Sequence, residues 1–166
     1  MELSNKSNKI IVYEDYAELI VEKRDGTIFK IIIDNEDVDK VKQHKWRSNG
    51  NKYFKNPKGL YLHRFIMNCN DKNMTVDHID GNPLNCLKSN LRICTEKENS
   101  MNHKIQSNNT SGCSGVTFRK DTNKWTVSIQ VGYKVYRLGC YNSKEEAIRV
   151  RKEAEIKYFG EYRRKE

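Results

Sequence analysis

Apolar and polar residues alternate over the first stretch of the chain, and the alternation predicts strands. Ile10 and Val12, then Ala17, Leu19 and Val21, are spaced by two and separated by polar residues. Asp25-Gly26 follows as a hairpin-turn signal, and Phe29, Ile31 and Ile33 continue the period on the returning strand. From Asp34 to Trp46 the period changes, and Val38, Val41 and Trp46 fit a short helix. Tyr53 and Leu60-Tyr61-Leu62 predict one more hairpin before His63 to Met67, which can be helical. Residues 1–60 carry no chemistry of their own and read as scaffold.

The next stretch, 74–104, predicts strand, loop, strand and helix. Met74 to Ile79 reads as a strand, and Asp80-Gly81-Asn82-Pro83 is a dense turn signal opening a loop to Ser89. Leu91 to Cys94 is a second strand. Thr95 precedes Glu98 by three residues, the spacing of a capping box, so a helix should start there. Residues 105–114 follow, rich in Ser, Asn, Thr and Gly from Gln106 onward, and predict an extended, mobile linker.

Both periods recur in 115–166. Val116 and Phe118, then Trp125, Val127, Ile129 and Val131, then Tyr136 and Leu138, predict three antiparallel strands separated by turns at Lys120–Asn123 and Gly132-Tyr133. Ser143 and Glu146 form a second capping box, Ala147, Val150, Ala154 and Tyr158 follow at steps of three and four, and Gly160 is a natural stop. A helix on the apolar face leaves Thr117, Arg119, Thr126, Ser128, Gln130 and Arg137 on the other face. That face is either a solvated sheet surface or a set of donors for phosphates and base edges. The fold class expected is α+β, divided into 1–104, a linker 105–114, and 115–166.

Composition narrows the classes. With 36% hydrophobic and 32% charged residues, a folded chain is expected but no single large core. Apolar runs such as Ile31-Ile32-Ile33 fall far short of the roughly 20 residues of a membrane helix. No stretch near Met1 has signal-peptide character, so a cytoplasmic location is expected. Five cysteines (Cys69, Cys86, Cys94, Cys113, Cys140) include no C-x-x-C pair and read as reduced, buried thiols, with no structural zinc.

The net charge of +9 is unevenly placed. Residues 1–50 hold nine Lys and Arg against ten Asp and Glu, 51–100 eight against five, and 101–166 fourteen against seven. An electropositive half suits a polyanion, since Lys and Arg release counterions from phosphates, although it also suits a merely soluble surface.

Asp77-His78 on a strand, Asn90 before the next strand and Asn99 in the first turn of the helix make the chemically loaded set. A carboxylate and an amide oxygen suit a hard ion such as Mg²⁺, with Mn²⁺ as an alternative. A neutral imidazole beside them can deprotonate a water for attack on phosphorus.

Residues 60–103, through Leu60 to Arg64, Val76-Asp77-His78-Ile79-Asp80-Gly81-Asn82-Pro83, Ser89-Asn90-Leu91-Arg92 and Glu98-Asn99, strongly resemble the HNH endonucleases of phage and mobile introns. The resemblance implies a ββα-metal fold, with His78 as general base and Asp77 and Asn99 as metal ligands. Asn90, the other catalytic-set residue, would brace the loop that orients His78. Asn99 stands where His is commoner, which resembles the homing branch and implies a more solvated metal site. His103 is either an extra ligand or a helix-end residue, His63 a packing or phosphate-contacting residue, and His44 ordinary surface. Residues 112–160, through Ser114-Gly115-Val116, Lys124-Trp125, Arg137-Leu138-Gly139 and Glu146-Ala147 to Ala154, resemble the DNA-binding domain of plant APETALA and ethylene-response factors. That resemblance implies a sheet face lying in the major groove of double-stranded DNA.

The expectation is therefore a monomeric DNA nickase, with Arg64, Lys88, Arg92 and Lys104 meeting the DNA backbone beside the six residues of the sheet face. Its rivals are a DNA-binding protein without nuclease activity and an RNA-directed or structure-specific nuclease.

Overall fold

The computed structural model describes residues 7–50, 53–103 and 105–164. The chain forms two compact units, Met1–Glu96 and Lys97–Glu166.

In the first unit, β1 (Ile10–Val12), β2 (Ala17–Glu22) and β3 (Ile28–Ile33) form an antiparallel sheet in that order. The register sets Ala17 against Ile33 and Leu19 against Ile31, so the apolar residues of both strands share one face. All four are fully buried. Removing the Leu19, Ile31 and Ile33 side chains from water stabilises the fold by about 1.5–3 kcal/mol each. Gly26, at φ +81°, turns β2 into β3 in the left-handed region, and Asp25 Oδ1 accepts the Thr27 amide at 2.9 Å.

A single 3₁₀ turn at 35–37 leads into α1 (Val38–Val41), which ends close to Trp46. The indole donates from Nε1 to Val41 O at 2.9 Å, and the Trp46 backbone N–H donates to Asn8 Oδ1 at 2.7 Å. His44, expected on the surface, is half-buried with its ring packed edge-on against Trp46 and Phe65. The short hairpin β4 (Arg47–Ser48) and β5 (Phe54–Lys55) follows.

Leu60 to Leu62 does not add the expected strand. Only Tyr61 bridges Lys55, and α2 (Leu62–Ile66) begins at the next residue. Leu62 and Ile66 lie one turn apart and both are buried, so helical spacing satisfies the core better than alternation does.

β6 (Met74–His78) and β7 (Leu91–Thr95) form an antiparallel hairpin, with α3 (Glu96–Asn99) directly after it. Their connecting loop rests on the free edge of β3. Ile32 donates its N–H to Leu84 O and accepts that of Cys86, both at 2.8 Å, forming one parallel bridge opposite Asn85. Lys88 completes the attachment, its N–H donating to Asp34 Oδ2 at 2.7 Å and its ammonium pairing with Asp37 at 3.0 Å and with Glu36. One core joins the sheet, Trp46, Phe54, Leu62, Ile66, Val76, Cys86 and Leu91.

The second unit is an antiparallel sheet of β8 (Val116–Arg119), β9 (Lys124–Val131) and β10 (Lys134–Tyr141), β9 central, with α4 (Lys144–Phe159) packed on it. Val116, Val127 and Ala147 are buried between sheet and helix, with Trp125, Leu138, Tyr141, Ile148 and Val150 around them. Ser143 Oγ accepts the Glu146 amide at 3.2 Å and starts α4, and Gly160 at φ +52° ends it.

The 105–114 stretch is not extended. Asn109 Nδ2 donates to Cys113 O at 3.2 Å, its Oδ1 accepts from Ser111 Oγ and Gly112 N, and Ser111 is buried. Its Asn and Ser side chains fold the backbone into turns rather than leaving it in water.

Four of the five cysteines are buried free thiols, whereas Cys140 is exposed on β10. Among the described residues no helix is long and apolar enough to cross a membrane.

Candidate active site

The last two residues of β6 carry the site. Asp77 faces Arg92 across the hairpin because the register pairs those two positions. Arg92 donates from Nη2 and Nε to Asp77 Oδ2 at 2.6 and 3.0 Å. Both side chains are largely buried, so this charge-assisted pair is only weakly screened by water.

His78 has different surroundings. It is 5% exposed, and its Nε2 lies 3.7 Å from Cys86 Sγ. Its ring meets His63 edge-on at 5.3 Å, and Tyr53 and Tyr61 close the other sides of His63 at 5.3 and 5.6 Å. Burial holds the His78 pKa below its ordinary value, partly offset by the Asp80 and Asp77 carboxylates. His63 is pushed further, to about 3, by burial and then by the neighbouring charges of His78 and Arg64. Both imidazoles are therefore neutral near pH 7. Burial also raises the Cys86 thiol to about 12, with Asp80 adding to the effect.

The loop that follows His78 is a network of Asp and Asn side chains. Asn90 donates from Nδ2 to Asp80 Oδ1 and to Asn85 O, both at 2.9 Å, and accepts the Asp80 amide at 3.1 Å. Asp80 also accepts from Asn82 N at 2.7 Å and from Asn85 Nδ2 at 2.9 Å. Burial acts to raise the Asp80 pKa, but these hydrogen bonds outweigh it and hold the carboxylate below its usual range. Asn90 thus ties both ends of the loop together beside His78. Asp80, Asn82, Asn85 and Cys86 were not singled out from the sequence as shaping the site. The density of Asp and Asn between Ile79 and Asn90 was the signal available for the first three.

The other expected positions are spread over both units. Asn99 ends α3, at the opening of the second unit, and is half-buried. His103 is exposed just beyond it. Arg64 directs its guanidinium to Met74 O and Asp71 O at 2.6 and 2.7 Å, and Lys88 is held by Glu36 and Asp37. Lys104 lies outside the described residues.

On the sheet of the second unit, Thr117 pairs with Thr126 and Ser128 with Arg137, so these four share the face turned from α4. Thr126 Oγ1 donates to Thr117 O at 3.1 Å, Arg119 pairs with Asp121 at 2.7 Å, and Gln130 Nε2 donates to Gly132 O at 2.9 Å. Arg137 is exposed. Among the described residues no three His, Cys, Asp or Glu side chains gather into a metal-holding group.

Comparison with known proteins gives partial matches. The chain is 48% identical over 58 residues to Protein 3.8 of Escherichia phage T7, a match covering 35% of this chain and 48% of that protein. The chain thus spans about half the length of that relative. No solved structure matches. Residues 68–101 match the HNH endonuclease family, which supports a nuclease at the family level and puts it on the hairpin, loop and short helix that carry Asp77, His78 and Asn90.

Proposed function

We propose that this chain is a metal-dependent DNA endonuclease that hydrolyses one phosphodiester bond per binding event. The observation that carries the reading is His78, neutral by burial and flanked by a loop that Asn90 braces. A neutral imidazole can take the proton of a water attacking phosphorus, and fixing its ring removes the entropy cost of finding that geometry.

Asp77 fits a cation. It is a carboxylate at the end of β6 beside His78, the donor type a hard cation takes, and to hold one it would share or release the Arg92 guanidinium that now donates to it. Mg²⁺ or Mn²⁺ is commonly held by one or two carboxylates, waters and phosphate oxygens, so a cluster of three acidic groups is not needed. Asp77 would hold the ion, and the resemblance to the HNH endonucleases implies Asn99 as the second ligand. When bound, it supplies charge stabilisation to the phosphate and the leaving oxygen. Arg92 donates twice to Asp77 Oδ2 and so orients that carboxylate, and it would meet the DNA backbone only by giving up that partner.

The second unit supplies the grip on duplex DNA. Its resemblance to the APETALA and ethylene-response domains and its seven-residue excess of Lys and Arg from 101 to 166 support this role. Arg137, with Thr117, Arg119, Thr126, Ser128 and Gln130, would face the groove. Lys104 would meet the backbone, and Arg64 and Lys88 would do so only by giving up their present partners. One hydrolytic centre in a monomer yields a nick.

The Asp77–Arg92 pair also favours a second reading, a DNA-binding protein whose carboxylate is already neutralised and does not take a metal. Supercoiled plasmid carrying a library of candidate sites separates the two. The expected result is open circles with Mg²⁺ or Mn²⁺, and none with EDTA or with His78→Ala. Linear product would overturn the single-strand cut, and salt-sensitive binding without any cleavage would establish the second reading.

A further inference from the structure

We propose that Cys86 is a positioning residue that selects the tautomer of His78, placing the ring proton on Nε2 and the lone pair on Nδ1. Its bearing on DNA cleavage rests on the endonuclease reading above, whereas the tautomer assignment stands on the contacts of the thiol.

Cys86 Sγ has two polar neighbours, His78 Nε2 at 3.7 Å and Pro83 O at 3.8 Å. Burial keeps the sulfur protonated, so the thiol has one hydrogen to donate. A carbonyl oxygen can only accept. If S–H donates to Pro83 O, the sulfur lone pair is left to accept Nε2–H, and the chain runs from imidazole to thiol to carbonyl through two hydrogen bonds. If S–H donates to Nε2 instead, only one bond forms at the sulfur and Pro83 O loses the thiol as its donor. Weak as sulfur hydrogen bonds are, two exceed one, and at 1% exposure no water replaces the missing partner on the sulfur.

The backbone that carries the thiol is pinned on both sides. The backbone N–H of Cys86 is bonded to Ile32 O on β3, and Asn90 fixes the preceding Asn85 carbonyl. A thiol at this place therefore acts as a fixed acceptor for one ring nitrogen. The other nitrogen becomes the basic one, and its orientation follows that of the β6 terminus. The choice of nitrogen matters because only the ring atom without hydrogen can receive a proton from water.

The test is a long-range ¹H–¹⁵N correlation spectrum of the whole ¹⁵N-labelled protein at pH 7.5, read at His78. Wild type should show a single tautomer protonated at Nε2. Cys86→Ser, with a hydroxyl able to accept and donate, should keep it. Cys86→Ala should give a mixture of tautomers and lower single-turnover cleavage about tenfold, with Cys86→Ser falling less. A wild-type proton on Nδ1, or an unaltered single tautomer in Cys86→Ala, overturns the proposal. The first of these needs no variant to fold. If the tautomer pattern holds while no protein cleaves DNA, the positioning role stands and the endonuclease reading fails.

Discussion

His63 should make the first unit lose stability under mild acid. The unfolded chain binds a proton on this imidazole near pH 6.5, and the folded chain does so only near 3. The stability contributed by the neutral ring is complete above about pH 7 and is lost as the pH falls through the interval between those values. One pKa unit is about 1.36 kcal/mol, so the loss reaches about 2 kcal/mol at pH 5 and approaches about 5 kcal/mol near pH 3. Against a typical stability of about 5–15 kcal/mol, 2 kcal/mol is a large fraction.

Urea unfolding at pH 7.5 and pH 5 measures this, followed by Trp46 fluorescence in a Trp125→Phe background so that only the first unit reports. At about 2 kcal/mol per molar urea, the midpoint should drop by about 1 M. His63→Phe keeps the ring against Tyr53, Tyr61 and His78 but has no proton to gain, and its midpoint should move far less. His78, shifted the same way by burial, accounts for the residual movement. If His63→Phe and the parent lose equal stability between the two pH values, the buried imidazole is not the source and the reasoning fails.

Other outcomes follow from the same structure. Asn90→Ala removes three side-chain hydrogen bonds, about 2–3 kcal/mol of loop bracing, and should cut cleavage at least tenfold while speeding hydrogen exchange at the Asp80 amide. Unchanged exchange at Asp80 would show that the loop does not depend on Asn90. Gly115→Ala places a methyl 2.3 Å from Ser128 O at φ +74°, and should cost the second unit about 2 kcal/mol or more, read by Trp125 fluorescence during thermal unfolding. A melting point equal to the parent's would refute it. Arg137→Ala should reduce the slope of log K against log salt by about 0.9 if this guanidinium neutralises one phosphate, and an unchanged slope would remove it from the DNA-contacting face.

The elements that were legible in the sequence are those whose partners lie nearby in the chain. Alternation from Ala17 to Val21 and from Phe29 to Ile33 announces both strands and their shared face, since the turn between them sets the register. The capping serine and glutamate at 143 and 146 mark the start of α4 within one residue. Distant partners were not legible. Lys88 reads as a phosphate ligand until Glu36 and Asp37, some fifty residues earlier, are seen to hold it. Arg64 reads likewise, although it serves two backbone carbonyls. Charge counts give the number of cations and not their partners. Asp77, His78 and Asn90 were legible as a motif, but Cys86 was not, because its relation to His78 exists only after the loop folds back.

The attachment of the 84–88 loop to β3 has a consequence for transplanting this centre. The segment matching the nuclease family begins at residue 68, so it contains neither Ile32, which bonds Leu84 and Cys86, nor Asp34, which accepts from Lys88. Moved alone into another protein, the hairpin would keep its own strand pairing and the Asn90 clasp, yet its loop would lack the ledge on which it rests. A recipient would need an exposed strand edge in the same place, running parallel to the loop, with an acidic side chain two residues beyond the bridging position. The motif is thus portable only together with a docking strand, native or borrowed, and libraries of chimeras should sort by whether the host offers one.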